Sequence, residues 1–477
     1  MHDDDTHSHN SVADSITTQD LQIPILVGYA FGAKKMNTMA TVMAEASRAR
    51  VVGVVSVDDQ DTPLPKHALT TAALCLHQKK ESQLPKNIVL SLKKGGLNNI
   101  VRYFRSSCSS VGSDDIDTGS NSHSNPSTAG TGTVTTETRK THSSHASGSS
   151  TYPVRVSFVP VDLNEPLEEQ HGGRFDIILH KMTEDILCLS TADARWKQFL
   201  DERGDISDRT GDCEPTLRQA IHRIQRLKDY QRSHPQCCLA DDPSHVEVVM
   251  SRSQISSKLQ QALVGVTSTS GQAVATPNFL DYNHHNQHHS LSYPLIAKPL
   301  PAAGTKKSHC MGIVLNPKGL IKIETPCILQ EYANHCATLY KVYVLGDDIH
   351  VFSRPSLPDL PSKPSELDLL NPYVEFDSQR PYPKLVDFGL DMPPPAKRTK
   401  LLQMTAGEVT PVVEALKRAF GLELFGFDIL VSDNRLLVVD VNYFPSFKEV
   451  SNFPSLLATF LVQRAVQKRK STTASSQ

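Results

Sequence analysis

Apolar and polar positions along the chain fall into short strand-like runs separated by a handful of helical patterns. Residues 25–29 and 51–57 are compact apolar runs of a length that suits buried strands, and the pattern between them predicts a helix over 36–50. Further runs predict strands at 154–161 and 175–179. They precede a helix over 215–233 whose Leu217, Ile221, Ile224 and Leu227 share one face. Pro215 suits the first turn of that helix, and His234-Pro235 ends it. A weaker pattern allows a helix over 66–80. Closely spaced patterns at 295–298, 311–315, 327–332, 338–345 and 349–354, joined by turns such as Gly346-Asp347-Asp348, predict an antiparallel sheet. Residues 357–395 are Pro-rich and read as a long irregular loop. A helix over 410–420 stops near Gly421, two strand runs lie within 424–447, and a terminal helix covers 453–468.

Two stretches lack the apolar residues a core needs. Residues 1–21 and 106–150 are polar, the latter rich in Ser, Thr, Gly and His, and both read as disordered. At 477 residues the chain has room for about three domains. A net charge of -2 points away from nucleic acid and from polybasic membrane binding, so an anionic substrate would need a local basic cluster. Nine cysteines without a C-x-x-C pair, an acidic start unlike a secretory signal, and apolar runs too short to span a bilayer suggest a cytoplasmic protein with reduced thiols. The His-rich run at 283–289 reads as a solvated loop rather than a metal site, since nothing fixes its geometry.

The strongest chemical signal is the segment 424–447. Asp428 lies in one strand run, Asp440 and Asn442 lie two apart in the next, and turn residues 432–435 separate the runs. Residues two apart on a strand share a face, so Asp440 and Asn442 can converge on one cation. Two carboxylates and an amide suit Mg²⁺. Asp428 joins them only if the hairpin pairs with an even index sum, from an odd-length loop such as 433–435 or from a bulge. Lys298 and Lys341 sit among strand formers, where phosphate would satisfy them or where they could simply face outward from an edge strand. The loop at 302–309 contains one glycine and is basic, which suits phosphate. The polar group at 180–183 follows a strand, where open α/β sheets place ligands. Arg354 and Ser356 could read a phosphate or merely form a turn. No P-loop is present.

These pieces occur in an order that resembles the inositol 1,3,4-trisphosphate 5/6-kinase family, also called inositol-tetrakisphosphate 1-kinases. The matching stretches are VGYAFGAKK at 27–35, FDIILHKMTED at 175–185, MSRS at 250–253 and AKPLPAAGTKKSH at 297–309. They continue with ILQEYANHCATLYKVYVLGD at 328–347, SRPSL at 353–357 and LFGFDILV…VVDVNYFP within 424–445. The resemblance breaks across about 58–152 and again near 281–290.

The resemblance implies an α/β ATP-grasp fold, with a parallel-sheet N-terminal domain and two ATP-grasp domains whose sheets are mainly antiparallel. Domains at 22–233, 234–329 and 330–468 are expected, flanked by disordered ends at 1–21 and 469–477. It implies Mg²⁺ on Asp428, Asp440 and Asn442, and ATP held by Arg252, Lys298, Lys341, Ser356 and the adenine-pocket residues Gln330, Glu331 and Tyr332. Lys35, Lys181, His309 and Arg354 would hold an inositol polyphosphate, with Lys341 between the two substrates and Ser446 near the acceptor. Lys341 and Asp440 would serve the chemical step. Lys306 and Lys307 add plausible counter-charge. Ala303 stands where animal members carry histidine, and Ser446 where the family commonly has glycine. The expected protein is a monomeric kinase without nucleic-acid or membrane partners. A carboxylate–amine ligase of the same fold and a non-catalytic inositol-phosphate-binding protein are the competing expectations.

Overall fold

A computed structural model describes residues 23–49, 51–56, 88–93, 102–105, 149–192, 214–283, 290–303, 306–391 and 404–474. The candidate helix over 66–80, the long insertion and the His-rich run therefore lie largely or wholly outside the described residues. Strand β1 (Ile23–Phe31) leads to helix α1 (Ala33–Arg48), and β2 (Val51–Ser56), β3 (Ile88–Lys93), β4 (Arg102–Arg105) and β5 (Ser149–Pro160) follow. The chain divides into two compact units, residues 50–155 with both extreme ends, and residues 24–49 with 156–476. In the first, β2 pairs parallel with β3 and antiparallel with the early part of β5. The second carries everything that concerns the site.

There β1 pairs parallel with β6 (Ile177–Lys181), which pairs parallel with β7 (Cys238–Ala240). Ile177, Ile178, Leu179 and His180 are all buried, the unbroken run expected of a strand covered on both faces. Helix α2 (Thr183–Ser190) follows, then α3 (Pro215–Ser233), whose first turn is capped by the Glu214 carboxylate at 3.1 Å from the Thr216 and Leu217 amides. At its far end the buried Tyr230 hydroxyl accepts from Phe175 N–H and donates to Gly173 carbonyl, both at 3.0 Å, fixing the entry to β6. Helices α4 (Pro243–Val248) and α5 (Arg252–Ala262), with the two-residue strand β8 (Val274–Ala275), complete this stretch.

The central sheet contains β9 (Phe279–Tyr282), β10 (Leu295–Pro299), β11 (Cys310–Val314) and β12 (Cys327–Glu331), paired antiparallel. Strands β13 (Thr338–Leu345) and β14 (Asp348–Pro355) then form a hairpin in another sheet. The Pro-rich stretch departs from the expected irregular loop. It holds the short helix α6 (Pro364–Leu367) and β15 (Tyr373–Asp377), which pairs with β11 as an edge strand. The alternation Val374/Phe376 was there to be read, but flanking prolines obscured it. Leu357, Leu360, Leu367, Leu370 and Phe388 pack with Ile313 and Leu315, so hydrophobic burial fixes this segment. The central sheet thus takes Glu331 and recovers 373–377, crossing the boundary expected at 329/330.

Helix α7 (Ala406–Phe420) ends at Gly421, whose φ of 67° is the left-handed cap that glycine favours. A Cβ there would also lie 2.6 Å from the His245 ring. Strands β16 (Leu424–Ser432) and β17 (Arg435–Tyr443) close a sheet of order β14-β13-β16-β17-β8, and α8 (Phe453–Ala474) follows. The fold class is the expected α/β mixture, with parallel pairing of β1, β6 and β7 in the N-terminal sheet, where the β2–β5 and β3–β4 pairs are antiparallel, and two mainly antiparallel sheets beyond it. No helix among the described residues is long and apolar enough to cross a membrane.

Candidate active site

Asp433 and Asn434 form a two-residue turn with φ of 48° and 59°, the left-handed pair that matches the twist of a tight hairpin. From this turn Ser432 pairs with Arg435 and Ile429 with Val438, an odd index sum. That register alone would turn Asp440 away from Asp428. A bulge at Val439 adds one residue, so Asp428 stands opposite Asp440 and Gly426 opposite Asn442. Of the two routes to an even sum, the hairpin uses the bulge. Lys341 lies directly across from Asp428 on β13. One sheet face therefore carries the row Lys341–Asp428–Asp440, with Asn442 one step along.

The row is electrostatically unfinished. Asp428 Oδ1 is buried with no hydrogen-bond partner, and Lys341 Nζ stands 3.5 Å from it. Burial raises the Asp428 carboxyl above its usual range, and Asp440 raises it further against the opposing Lys341. Asn442 Nδ2 donates to Asp440 Oδ2 at 3.1 Å, which leaves its amide oxygen open to a ligand. This orphaned oxygen and the hard donor set fit a divalent cation such as Mg²⁺.

Lys298 reaches the same face from β10. Its ammonium donates to Gln330 Oε1 at 2.6 Å and to the carbonyl of Val439, the bulge residue, at 3.3 Å. Burial lowers its pKa to about 8 even though Asp440 and Asp428 favour the charge. The Gln330 side chain is thereby committed to Lys298. The N–H groups of Glu331 and Tyr332 donate to the Asn278 and Pro294 carbonyls and so are already engaged. Ser356 meets His335 Nε2 at 2.9 Å. His335 Nδ1 donates to the Ala333 carbonyl at 2.7 Å, which makes Nε2 the acceptor from the serine.

Arg252 is placed differently from a free phosphate ligand. It is buried at the start of α5 and donates to the Pro299, Pro301 and Ser308 carbonyls, each at 2.8 Å. It braces both ends of the basic loop and borders the cavity. Lys307 turns outward to Glu324 at 3.0 Å, while the Lys306 side chain lies outside what is described.

Of the other predicted residues, Lys181, His309, Arg354 and Ser446 line the same cavity of about 620 Å³, while Lys35 meets its wall through Pro445. Lys35, from the first turn of α1, donates to the Phe444 and Pro445 carbonyls at 3.3 and 3.1 Å and sits 3.6 Å over the Phe444 ring. Lys181, from the C-terminal end of β6, donates to the Tyr443 and Phe444 carbonyls. Burial lowers both lysines to about 7, and Lys181 adds to the lowering of Lys35. His309 touches Gln379 Nε2 at 2.9 Å, and burial followed by Arg252 lowers its pKa. Arg354 pairs with Glu449, and Ser446 lies exposed on the cavity wall.

Sequence reasoning missed Tyr343, which shares a face with Lys341 and was accessible from period two. It also missed Glu449 and the Tyr443 anchor. The buried Tyr443 hydroxyl accepts from Asp241 N–H at 3.0 Å and lies 2.7 Å from the Ala240 and 2.8 Å from the His180 carbonyl. The Asp241 carboxylate accepts from the Glu423 and Leu424 amides, both at 3.0 Å, so the two ends of the β16–β17 hairpin meet at one place. No sequence signal marks those contacts, which join positions 182 to 263 residues apart.

Residues 268–463 match the sequence profile of the inositol 1,3,4-trisphosphate 5/6-kinase ATP-grasp domain, and residues 149–246 match that of the pre-ATP-grasp domain of the same enzymes. The chain belongs to the inositol 1,3,4-trisphosphate 5/6-kinase family. It is 30% identical over 336 residues to inositol-tetrakisphosphate 1-kinase 3 of Oryza sativa subsp. indica, covering 66% of this chain and 78% of that relative. It is 27% identical over 309 residues to inositol-tetrakisphosphate 1-kinase of Xenopus laevis, covering 62% and 69% respectively. The family assignment makes the chain an ATP-grasp inositol polyphosphate kinase.

Proposed function

We propose that this kinase moves the γ-phosphoryl group of ATP to a hydroxyl of an inositol polyphosphate, acting as a cytoplasmic monomer, with Asp428, Asp440 and Asn442 holding Mg²⁺. The observation that carries the reading is the single-face row of Lys341, Asp428 and Asp440, with a buried Asp428 oxygen that makes no hydrogen bond and meets the Lys341 ammonium only at 3.5 Å. Asp428, Asp440 and Asn442 would hold the ion, which when bound would supply positive charge against that of the transferring phosphoryl group.

The remaining steps belong to the side chains. Lys298 and Lys341 donate to phosphate oxygens, and Arg252 holds the basic loop in place for them. Gln330, Glu331 and Tyr332 border the nucleotide end together with Ser356. Lys35, Lys181, His309 and Arg354 hold the inositol phosphate, with Ser446 at the rim. The two lysines now rest on neutral carbonyls, and an anionic phosphate is the stronger acceptor. Phosphoryl transfer through a loose transition state asks for alignment and charge neutralisation, so the acceptor hydroxyl needs little help from a base. Residues 22–233 would supply Lys35 and Lys181 to the acceptor, and 234–468 the nucleotide side together with His309, Arg354 and Ser446. Six cysteines among the described residues are free thiols, in keeping with a reducing compartment.

The test is the purified full chain with ATP, Mg²⁺ and a panel of inositol tris-, tetrakis- and pentakisphosphates, following ADP release and separating product isomers by chromatography. ADP release should require an inositol phosphate and no amine. Calorimetric binding without ADP formation would overturn the catalytic reading. ADP release only with a carboxylate and an amine would point to a ligase.

A further inference from the structure

We propose that Glu449 is a specificity-determining residue, an acidic counterweight that limits how strongly Arg354 can attract substrate phosphate. This deepens the inositol-phosphate reading above and rests on it. Glu449 follows β17 in the loop beyond Ser446, and its side chain is 21% exposed. One carboxylate oxygen pairs with Arg354 Nη2, and the other accepts from the Tyr343 hydroxyl at 2.5 Å. Both partners line the cavity.

Their placement follows from register. Arg354 pairs with Leu339, and Tyr343 lies two residues beyond Lys341, so all four side chains share the face that carries Asp428. Tyr343 stands opposite Gly426, whose other neighbour is Asn442. Its ring rests against Phe447 and Phe352, with centroids 5.2 and 5.9 Å apart, which fixes where the hydroxyl points. The carboxylate is therefore held through both oxygens at the edge of the site.

The consequence is electrostatic. Arg354 is 45% exposed and could grip a phosphate bidentately, but its charge is already matched by a carboxylate. A phosphate arriving there must compete with Glu449 and is repelled by it. A substrate that needs no phosphate on that side loses nothing. Glu449 thereby favours less phosphorylated substrates over more phosphorylated ones, while the lysines at Lys35 and Lys181 attract both.

Calorimetric affinities of the full chain for an inositol trisphosphate and an inositol pentakisphosphate test this directly. Glu449→Gln should raise the preference for the pentakisphosphate about fivefold, the effect of one unit charge on additional phosphate across a partly solvated gap. The gain should shrink at high salt, and should fall to the direct repulsion alone when Arg354→Met is added. Glu449→Ala makes the same prediction should the amide variant fail to fold. Steady-state kinetics should place the change in KM rather than kcat. An unchanged affinity ratio, or an equal shift for both ligands, would overturn the assignment. Failure of the kinase reading would appear instead as absent ADP release by the wild type, with the affinity ratio still readable.

Discussion

Replacing Lys298 with methionine separates a residue kept for chemistry from one kept for folding. The ammonium is buried, and burial lowers its pKa from 10.5 to about 8. At pH 7 it is charged in both folded and unfolded chains, so holding it costs roughly 3 kcal/mol at 1.36 kcal/mol per pKa unit. Methionine removes that cost. It also leaves Gln330 Oε1 and the Val439 carbonyl without this donor, at about 1–3 kcal/mol each. The two effects are of similar size and opposite sign, so the melting temperature should move by only a few degrees. Loss of a preorganised donor to the transferring phosphoryl group should lower kcat about a hundred- to a thousandfold. The sign with pH is also fixed. Because the folded pKa is depressed, wild-type stability should rise between about pH 8 and 10.5, and the variant should lose that rise. Turnover with ADP detection and calorimetric melts at several pH values provide the test. Near-wild-type turnover, or a drop in melting temperature above about 10 °C, would refute the reasoning.

Asp440→Asn should lower turnover at least about a thousandfold without loss of stability, because it relieves repulsion against Asp428; melting curves and ADP assays check both halves. Tyr443→Phe removes a buried hydroxyl that serves Asp241 N–H and a carbonyl, and should cost about 2–4 kcal/mol by urea denaturation with an unchanged slope. Lys35 and Lys181, both near 7 in the free protein, should take up protons when a polyanion raises their pKa. Calorimetry at pH 8 in buffers of different ionisation enthalpy should show uptake of one to two protons, and at pH 6 almost none.

Period-two arithmetic on residues 424–447 singles out Asp428, Asp440 and Asn442 and states the parity that would put them on one face, which the ladder meets. It could not choose the bulge, because Val439 is as apolar as its neighbours and only the folded ladder shows it unpaired. Lysines at strand ends were legible as charges, but not their resting partners, which are main-chain carbonyls some 260 to 410 residues away. Arg252 was recognisable by its motif, while its three carbonyl contacts depend on how α5 meets the basic loop. The edge strand β15 was lost because composition outweighed alternation over five residues. Glu449 left no trace in the sequence, since its meaning comes from two side chains on another hairpin.

Parity also restricts which length changes this hairpin can absorb. A residue gained at the Asp433-Asn434 tip leaves every rung above it untouched, so the tip is free to vary. One gained between Arg435 and Val438 must either swell the kink at Val439 or swing Asp440 and Asn442 to the far side of the sheet. Natural variation and engineering should therefore find the loop permissive and that four-residue stretch rigid in length.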